Sequence, residues 1–134
     1  MSEPEAAAEA RRWLRYALDD LEIAGQMARD AARPRYACWF SQQAAEKALK
    51  AALVLEGIDA PYIHDLRRLR NLLPADWPGE AAILARLTEQ GAESRYPGDW
   101  PELTPEDAVR AEAEARVVCD SVVAEFARRG VGVE

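Results

Sequence analysis

The amino-acid sequence predicts an all-α fold, an antiparallel up-and-down bundle of three long helices and about two short ones. Apolar residues recur at steps of three and four along most of the chain, which is the period of one face of an α-helix. Alanine is the commonest apolar residue, and it favours helices because it loses no side-chain entropy when a helix forms. Proline and glycine separate the periodic segments, and the brief connections between them are typical of an antiparallel bundle.

The first helix is predicted from Pro4 to Ala32. Its end is placed at Arg33, because the residue before a proline is pushed out of the α region and Pro34 follows. The apolar positions that share one face of this helix are Trp13, Leu14, Ala17, Leu21, Ala24 and Ala28.

The second helix is predicted from Pro34 or Arg35 to Glu56, with Gly57 as the terminating residue. It is apolar around most of its circumference, unlike a helix that is wetted on one side. We therefore expect it to be the central helix of the bundle.

Two short helices are predicted in the middle of the chain. The first runs from His64 to Leu73 and closes at Pro74, and the second covers Gly79 to Gly91. The segment Ile58–Ile63 is predicted to be a loop, and Arg95–Pro101 an ordered, turn-rich and aromatic loop.

The last helix has the clearest start signal. Thr104 is a good N-cap, Pro105 suits the first helical position, and the two acidic residues that follow favour the positive end of the helix dipole. The helix is predicted to continue to about Arg129, next to Gly130. Its predicted buried side consists of Val109, Ala113, Val117, Ser121, Val122 and Phe126.

Length and composition limit the classes of function. A chain of 134 residues is predicted to form one domain, residues 1–134, and a net charge of -7 argues against a general nucleic-acid coat. Cys38 and Cys119 are far apart and the chain has one histidine, so no zinc site is expected at ordinary spacings, and no cofactor. With no signal peptide and no run of eighteen apolar residues, we expect a cytoplasmic protein without a membrane span.

Five polar residues of the second helix form the first candidate site. At 100° per residue, Gln43, Glu46, Lys47 and Lys50 fall on one side with Gln42 at the edge, and we call these five the polar arc. Their amides, acid and amines suit a phosphate, a nucleotide or the polar surface of a partner. The alternative is a solvated strip of a core helix, with Glu46 and Lys50 as an i,i+4 ion pair.

A basic cluster follows at the start of the first short helix, where His64 precedes Arg67, Arg68 and Arg70. The histidine is suited to act as a general base, an anion ligand or a cap. Arginine side chains bind phosphates and carboxylates equally well, so the cluster predicts either anion binding or pairing with surface acids.

The loop that carries Arg95 and Tyr96 is the third candidate site. Its arginine is placed to reach a cleft, or else its aromatic residue packs on the bundle end and pins the loop. We interpret Trp39, Trp77 and Trp100 as packing anchors rather than base-stacking platforms.

Three segments together resemble one known family. They are QQAAEKALKA on the central helix, the later GI and HDLRRL, and then SRYPG, and in this order they resemble the HEPN domain family over nearly the whole chain. The stretches from Trp13 to Ala24 and from Tyr36 to Phe40 are similar to the corresponding parts of the family. The resemblance implies a four- or five-helix bundle that commonly pairs as a homodimer.

The resemblance also implies two kinds of function. Many HEPN proteins act with a small nucleotidyltransferase encoded nearby, as toxin–antitoxin pairs or substrate-binding partners, and the family was named for nucleotide binding. Other members are metal-independent ribonucleases with an Arg, four to six residues, and a His. Here the only histidine is His64, and the nearest upstream arginine is Arg35 on another helix.

The sequence therefore favours a dimeric HEPN module that is not an enzyme and that binds a nucleotide-like ligand or a nucleotidyltransferase. The first alternative is a toxin ribonuclease that acts on RNA with His64 and a spatially adjacent arginine such as Arg95. The second is a purely structural dimer.

Overall fold

Five α-helices make up the computed structural model, which describes residues 1–133 and contains no strand in that range. They are α1 (Glu3–Ala28), α2 (Pro34–Leu55), α3 (Leu66–Asn71), α4 (Ala81–Glu93) and α5 (Pro105–Arg128). Three long helices and two shorter ones confirm the predicted fold class. The single domain over residues 1–134 stays a prediction, and Glu134 lies outside the described residues.

The helix α2 is the centre of the bundle, as predicted, because it packs against each of the other four. Its contacts with α1 show that the two run antiparallel: Lys47 pairs with Asp20, whereas Lys50, further along α2, lies over the ring of the earlier Trp13. A second pair of contacts shows that α5 runs parallel to α2. The Cys119 thiol contacts the Ala44 carbonyl, and further along both helices Arg129 pairs with Glu56 at their C-terminal ends.

Small residues line the contacts between the long helices. Alanine allows helix axes to approach closely, and the inward faces of α1, α2 and α5 are rich in it: Ala10, Ala17, Ala44, Ala48, Ala111 and Ala115 are all fully buried. Larger side chains fill the end of the bundle where α2 and α5 terminate, and there the rings of Trp77 and Phe126 meet edge to face at 6.2 Å. Trp77 is 2% exposed, in agreement with the predicted packing role.

The end of α1 differs from the prediction by four residues. The helix ends at Ala28 rather than Ala32. An aspartate stops it: the Asp30 carboxylate accepts a hydrogen bond from the Ala32 N–H at 3.0 Å and from the Arg33 guanidinium at 3.3 Å. Local side-chain bonds of this kind compete with the helical ladder, and the predicted start of α2 at Pro34 is unaffected.

The short helix α3 starts two residues later than predicted, and its cap is Asp65 rather than His64. The Asp65 carboxylate accepts hydrogen bonds from the N–H groups of Arg67 and Arg68 at 3.0 and 3.4 Å. His64 consequently stays outside the helix, in the connection that crosses α2. The next helix, α4, is shifted to Ala81–Glu93 from the predicted Gly79–Gly91.

The predicted start of α5 is confirmed, but half of its predicted buried side is exposed. Thr104 and Asp107 form a reciprocal capping box, with bonds of 3.1 and 2.8 Å. Val109 and Val117 are 58% and 54% exposed. The helix instead turns its alanine-rich face toward α2, because the smaller side chains allow the closer approach. The buried residues of α5 include Ala108, Ala111, Ala115, Val118, Cys119, Val122 and Phe126, and Ala113 is exposed.

No helix within residues 1–133 combines the length and the apolar character needed to cross a membrane.

Candidate functional site

Most of the polar arc lies inside the protein. Gln42 is 2% exposed, and Glu46 and Lys50 are 5% exposed each. Gln43 and Lys47 are half-buried. The arc is therefore neither a solvated strip nor an open ligand surface, because α1 and the connection between α2 and α3 cover it.

The carboxylate of Glu46 is the centre of this buried network. It accepts hydrogen bonds from the Gln42 amide at 3.0 Å and from the Lys50 ammonium at 3.1 Å, and its Oε1 lies 2.9 Å from His64 Nδ1. The Gln42 amide also donates to the His64 carbonyl at 3.0 Å, and Gln43 donates to the Gln42 oxygen at 2.8 Å. The i,i+4 pair expected between Glu46 and Lys50 is present, in the interior rather than at the surface.

Burial and hydrogen bonding act in opposite directions on Glu46. Burial by itself raises its pKa, but the hydrogen bonds from Gln42, His64 and Lys50 outweigh it and hold the pKa below the ordinary glutamate value. The carboxylate is thus kept ionised, and its charge is matched by Lys50.

Aromatic rings and a second ion pair close the network on both sides. The Lys50 ammonium lies 6.0 Å from the ring centroids of Trp13 and Tyr62. The Tyr62 ring meets the His64 ring edge to face at 4.9 Å. Lys47, the other lysine of the arc, forms a salt bridge with Asp20 of α1. Every cation of the arc therefore has a partner within the chain.

One arginine of the basic cluster has a structural role, and two others are free at the surface. Arg70 donates to the carbonyls of Ala75 and Trp77 and fixes the turn after α3. Arg67 and Arg68 are exposed, and neither guanidinium has a partner among residues 1–133. The predicted pairing with surface acids is absent for these two residues. His64, whose side chain is 41% exposed, contacts Glu46 and Tyr62 and no arginine.

The third candidate site lies at the other end of α2. A cleft of about 620 Å³ separates the start of α2 from the segment that joins α4 to α5. Arg95 and Tyr96 line it, as does Trp100, which is 38% exposed. The Arg95 guanidinium lies over the ring of Trp39 of α2, with its Cζ 4.4 Å from the ring centroid.

Arg35 holds the wall of this cleft in place. It donates to the Ser94 carbonyl at 3.2 Å and to the Tyr36 hydroxyl at 3.0 Å, and thereby ties the end of α4 to the start of α2. Sequence reasoning did not select Arg35, and it interpreted Trp100 as a packing anchor.

His64 and Arg95 do not belong to one site within the chain. His64 is bonded to Glu46, and Arg95 lies over the ring of Trp39. Glu46 and Trp39 are seven residues apart on α2. At 1.5 Å per residue the separation along the helix axis is roughly 10 Å. His64 and Arg95 are therefore held by residues of α2 that lie about two helical turns apart.

Neither end of α2 offers a metal site, since no three His, Cys, Asp or Glu side chains within residues 1–133 are grouped to hold an ion. The two cysteines are fully buried, and burial raises the pKa of each thiol to about 12.

Comparisons with known proteins agree with this fold. The HEPN domain model matches residues 10–126. The crystal structure of TT1696 from Thermus thermophilus is similar with a TM-score of 0.75 and 27% identity, over 84% of this chain and 94% of that one. The crystal structure of ST0689, an archaeal HEPN homologue, is similar with a TM-score of 0.66 and 29% identity, over 87% and 97% of the two chains. No curated protein matches the chain.

The family model thus covers all five helices apart from the first residues of α1 and the last residues of α5. The chain belongs to the HEPN domain family.

Proposed function

We propose that the protein is a non-catalytic HEPN module that dimerises and binds a nucleotide-like ligand or a small nucleotidyltransferase, as a component of a toxin–antitoxin system. The observation that carries the proposal is that the only histidine has no arginine partner. His64 Nδ1 lies 2.9 Å from the buried Glu46 carboxylate, and among residues 1–133 no guanidinium is hydrogen-bonded to its ring.

The chemistry of RNA cleavage supports this interpretation. Metal-independent cleavage of a phosphodiester needs a base for the attacking hydroxyl and a cation for the charge that develops on the phosphate. The cation that shares a carboxylate with His64 is Lys50, which is 5% exposed and already neutralised by Glu46. The lysines near the ring are therefore already paired, and the free Arg67 and Arg68 of α3 make no hydrogen bond to it.

The exposed side of α5 favours association with another protein chain. Val109, Ala113 and Val117 lie on one side of the helix at steps of four and face solvent. Apolar side chains aligned on an exposed helix face are a common feature of interfaces. A second copy of the chain and a nucleotidyltransferase are the two occupants that the proposal allows. A structural dimer without a ligand is the remaining alternative.

The catalytic question is tested by incubating RNA with the purified protein in a metal-chelating buffer. We expect the RNA to stay intact with the wild type and equally with His64→Ala and Arg95→Ala. RNA that is cut by the wild type and spared by His64→Ala would contradict the proposal and favour the ribonuclease alternative.

The association is tested by light scattering on the isolated protein and by co-purification with a nucleotidyltransferase encoded beside its gene. We expect a dimer, and we expect Val117→Asp to weaken either the dimer or the complex. A monomer that captures neither the transferase nor a nucleotide would overturn the proposed role.

A further inference from the structure

We infer that the cleft between the start of α2 and the segment from Ser94 to Leu103 binds a 5′-mononucleotide, with its phosphate on Arg95 and its base against Trp100. The inference rests on the proposed binding role. It selects the ligand over the protein partner, and it locates the site away from the buried polar arc.

Arg95 has the properties of a prepared anion ligand. Its guanidinium lies over the ring of Trp39, with Cζ 4.4 Å from the ring centroid. None of its side-chain N–H groups has a hydrogen-bond acceptor among residues 1–133. A planar guanidinium that is already oriented loses little entropy on binding and presents two parallel donors to a phosphate.

Trp100 supplies a fixed aromatic surface on the same cleft. Its ring packs directly on Gly98, so closely that a Cβ at that position would lie 2.4 Å from two ring atoms. The absence of a side chain at Gly98 therefore permits this contact, while 38% of Trp100 stays exposed. Tyr96, 67% exposed, adds a second ring at the rim. Stacking of a base on an aromatic side chain contributes binding energy whatever the base.

The charges around the cleft permit an anion. Arg33, Arg35 and Arg95 line it together with two acids, Glu93 and Glu102. Burial, with the nearby Glu89 and Asp107, raises the pKa of Glu93 and so disfavours its negative charge. Arg33 is already paired with Asp30, and Arg35 is bonded to the Ser94 carbonyl and the Tyr36 hydroxyl, so Arg95 is the cation that the cleft offers to an anion.

Size and overall charge select a small nucleotide rather than a polymer. The volume of about 620 Å³ falls within the range of small-ligand pockets, roughly 300 to 1,000 Å³. A strand of RNA would have to extend past the cleft along an acidic protein, where each further phosphate is repelled. Arg95, the one cation at the cleft without a partner among residues 1–133, suits a single phosphate.

The test is calorimetric titration of the full chain with AMP, adenosine, inorganic phosphate and a short oligoadenylate. We expect AMP to bind more tightly than adenosine or phosphate. Arg95→Met should weaken AMP by roughly tenfold or more, about 1.4 kcal/mol, and should leave adenosine nearly unchanged. Trp100→Ala should weaken both AMP and adenosine, and Gly98→Ala should do the same because the added methyl displaces the ring.

Arg67→Met is the matched control, because Arg67 is also an exposed arginine without a partner but lies on α3. It should leave the affinity for AMP unchanged. Equal losses of affinity in Arg95→Met and Arg67→Met would mean that AMP binding depends on net charge alone, and this would overturn the site. Oligoadenylate that binds far more tightly than AMP through the same residues would overturn the choice of a mononucleotide.

Failure of this inference is distinguishable from failure of the proposed function. A wild type that binds no AMP but co-purifies with a nucleotidyltransferase overturns the nucleotide site and leaves the binding module intact. A wild type that binds AMP at Arg95 and also cuts RNA through His64 overturns the non-catalytic role and leaves the nucleotide site in place.

Discussion

The Nδ1 atom of His64 and the Oε1 atom of Glu46 are 2.9 Å apart, and this contact fastens the connection between α2 and α3 onto the central helix. Because Lys50 and Gln42 share the same carboxylate, the partly exposed histidine is bonded to a polar network whose other members are buried in the bundle. Each side chain of the network therefore helps to keep the others hydrogen-bonded.

The first prediction concerns the ion pair between Glu46 and Lys50. Both side chains are 7% exposed, so Glu46→Ala leaves the Lys50 ammonium buried without a counter-charge. We expect a loss of about 3 to 5 kcal/mol in the free energy of unfolding, measured by urea denaturation. The double variant Glu46→Gln with Lys50→Met should lose less than Glu46→Ala, because no uncompensated charge remains.

A surface pair provides the control for this experiment. Glu9 and Arg12 are joined at 3.2 Å, with side chains that are 38% and 60% exposed. Glu9→Gln should change the free energy of unfolding by less than about 1 kcal/mol. Equal effects of Glu46→Ala and Glu9→Gln would contradict a buried charge pair.

The second prediction concerns the pH dependence of stability. The pKa of Glu46 is lowered in the fold, so its contribution is fully present above the ordinary glutamate pKa, about 4.3, and is lost as the pH falls through the lowered folded value. The stability difference between the wild type and Glu46→Gln should therefore shrink as the pH falls below about 4. Urea titrations over a pH series check this.

Glu93 acts with the opposite sign and serves as the comparison. Its pKa is raised by burial and by the neighbouring acids, so its ionisation costs stability as the pH rises through the unfolded value, and acid relieves that cost. Glu93→Gln should thus gain stability relative to the wild type as the pH rises. A constant difference across the series for both variants would exclude these directions.

The third prediction concerns Gly91, where α4 crosses α2. A Cβ at this position would lie 2.5 Å from Cγ of Gln42, which is buried and has no room to move. We expect Gly91→Ala to destabilise the protein by about 1 to 3 kcal/mol, although alanine is the better helix former. Thermal and urea unfolding measure the change.

Gly25 is the matched control, since it also lies inside a helix but has space. A Cβ there would meet only Glu112 Oε1, at an ordinary 3.6 Å. Gly25→Ala should stabilise the protein by about 0.5 to 1 kcal/mol. Stabilisation by both alanines would show that the contact of Gly91 with Gln42 is looser than described.

The fourth prediction concerns the two thiols. Cys38 and Cys119 are fully buried, and burial raises the pKa of both to about 12, so neither presents a thiolate near neutral pH. We expect no reaction of the native protein with a thiol reagent at pH 8, and two equivalents of reaction in denaturant. Rapid labelling of the native state would contradict the packing of α2 against α5.

Particular elements show how far sequence reasoning reached. Thr104 and Gly57 were sound boundaries because capping and positive φ depend on a few neighbouring residues, and Gly57 has φ of 76°. Asp30, which ends α1 early, was missed because Pro34 was used as the end signal, although the bonds of Asp30 to Ala32 and Arg33 are just as local. The face of α5 was misjudged at Val109 and Val117, since two adjacent faces were apolar and only packing on α2 chose between them.

The candidate sites also combine features that the sequence predicted with features that it could not. The residues of the polar arc were identified from their spacing on one helix, but their spacing carried no information on what covers them. His64, from a connection, and Trp13, from α1, enclose the arc, and both are distant in sequence from Lys50. The cleft at Arg95 likewise depends on Trp39, which lies on a different helix and far away along the chain.

By itself, the amino-acid sequence determined the all-α class, the central position of α2 and the family, because helical periodicity, capping and an ordered set of motifs are local properties of the chain. Only the tertiary structure decided which polar residues are buried and paired and which face a cleft. The physical reason is that burial and charge pairing are set by side chains from other helices. The Glu46 carboxylate, on the helix that carries the family's strongest motif, is an interior ion-pair partner for this reason.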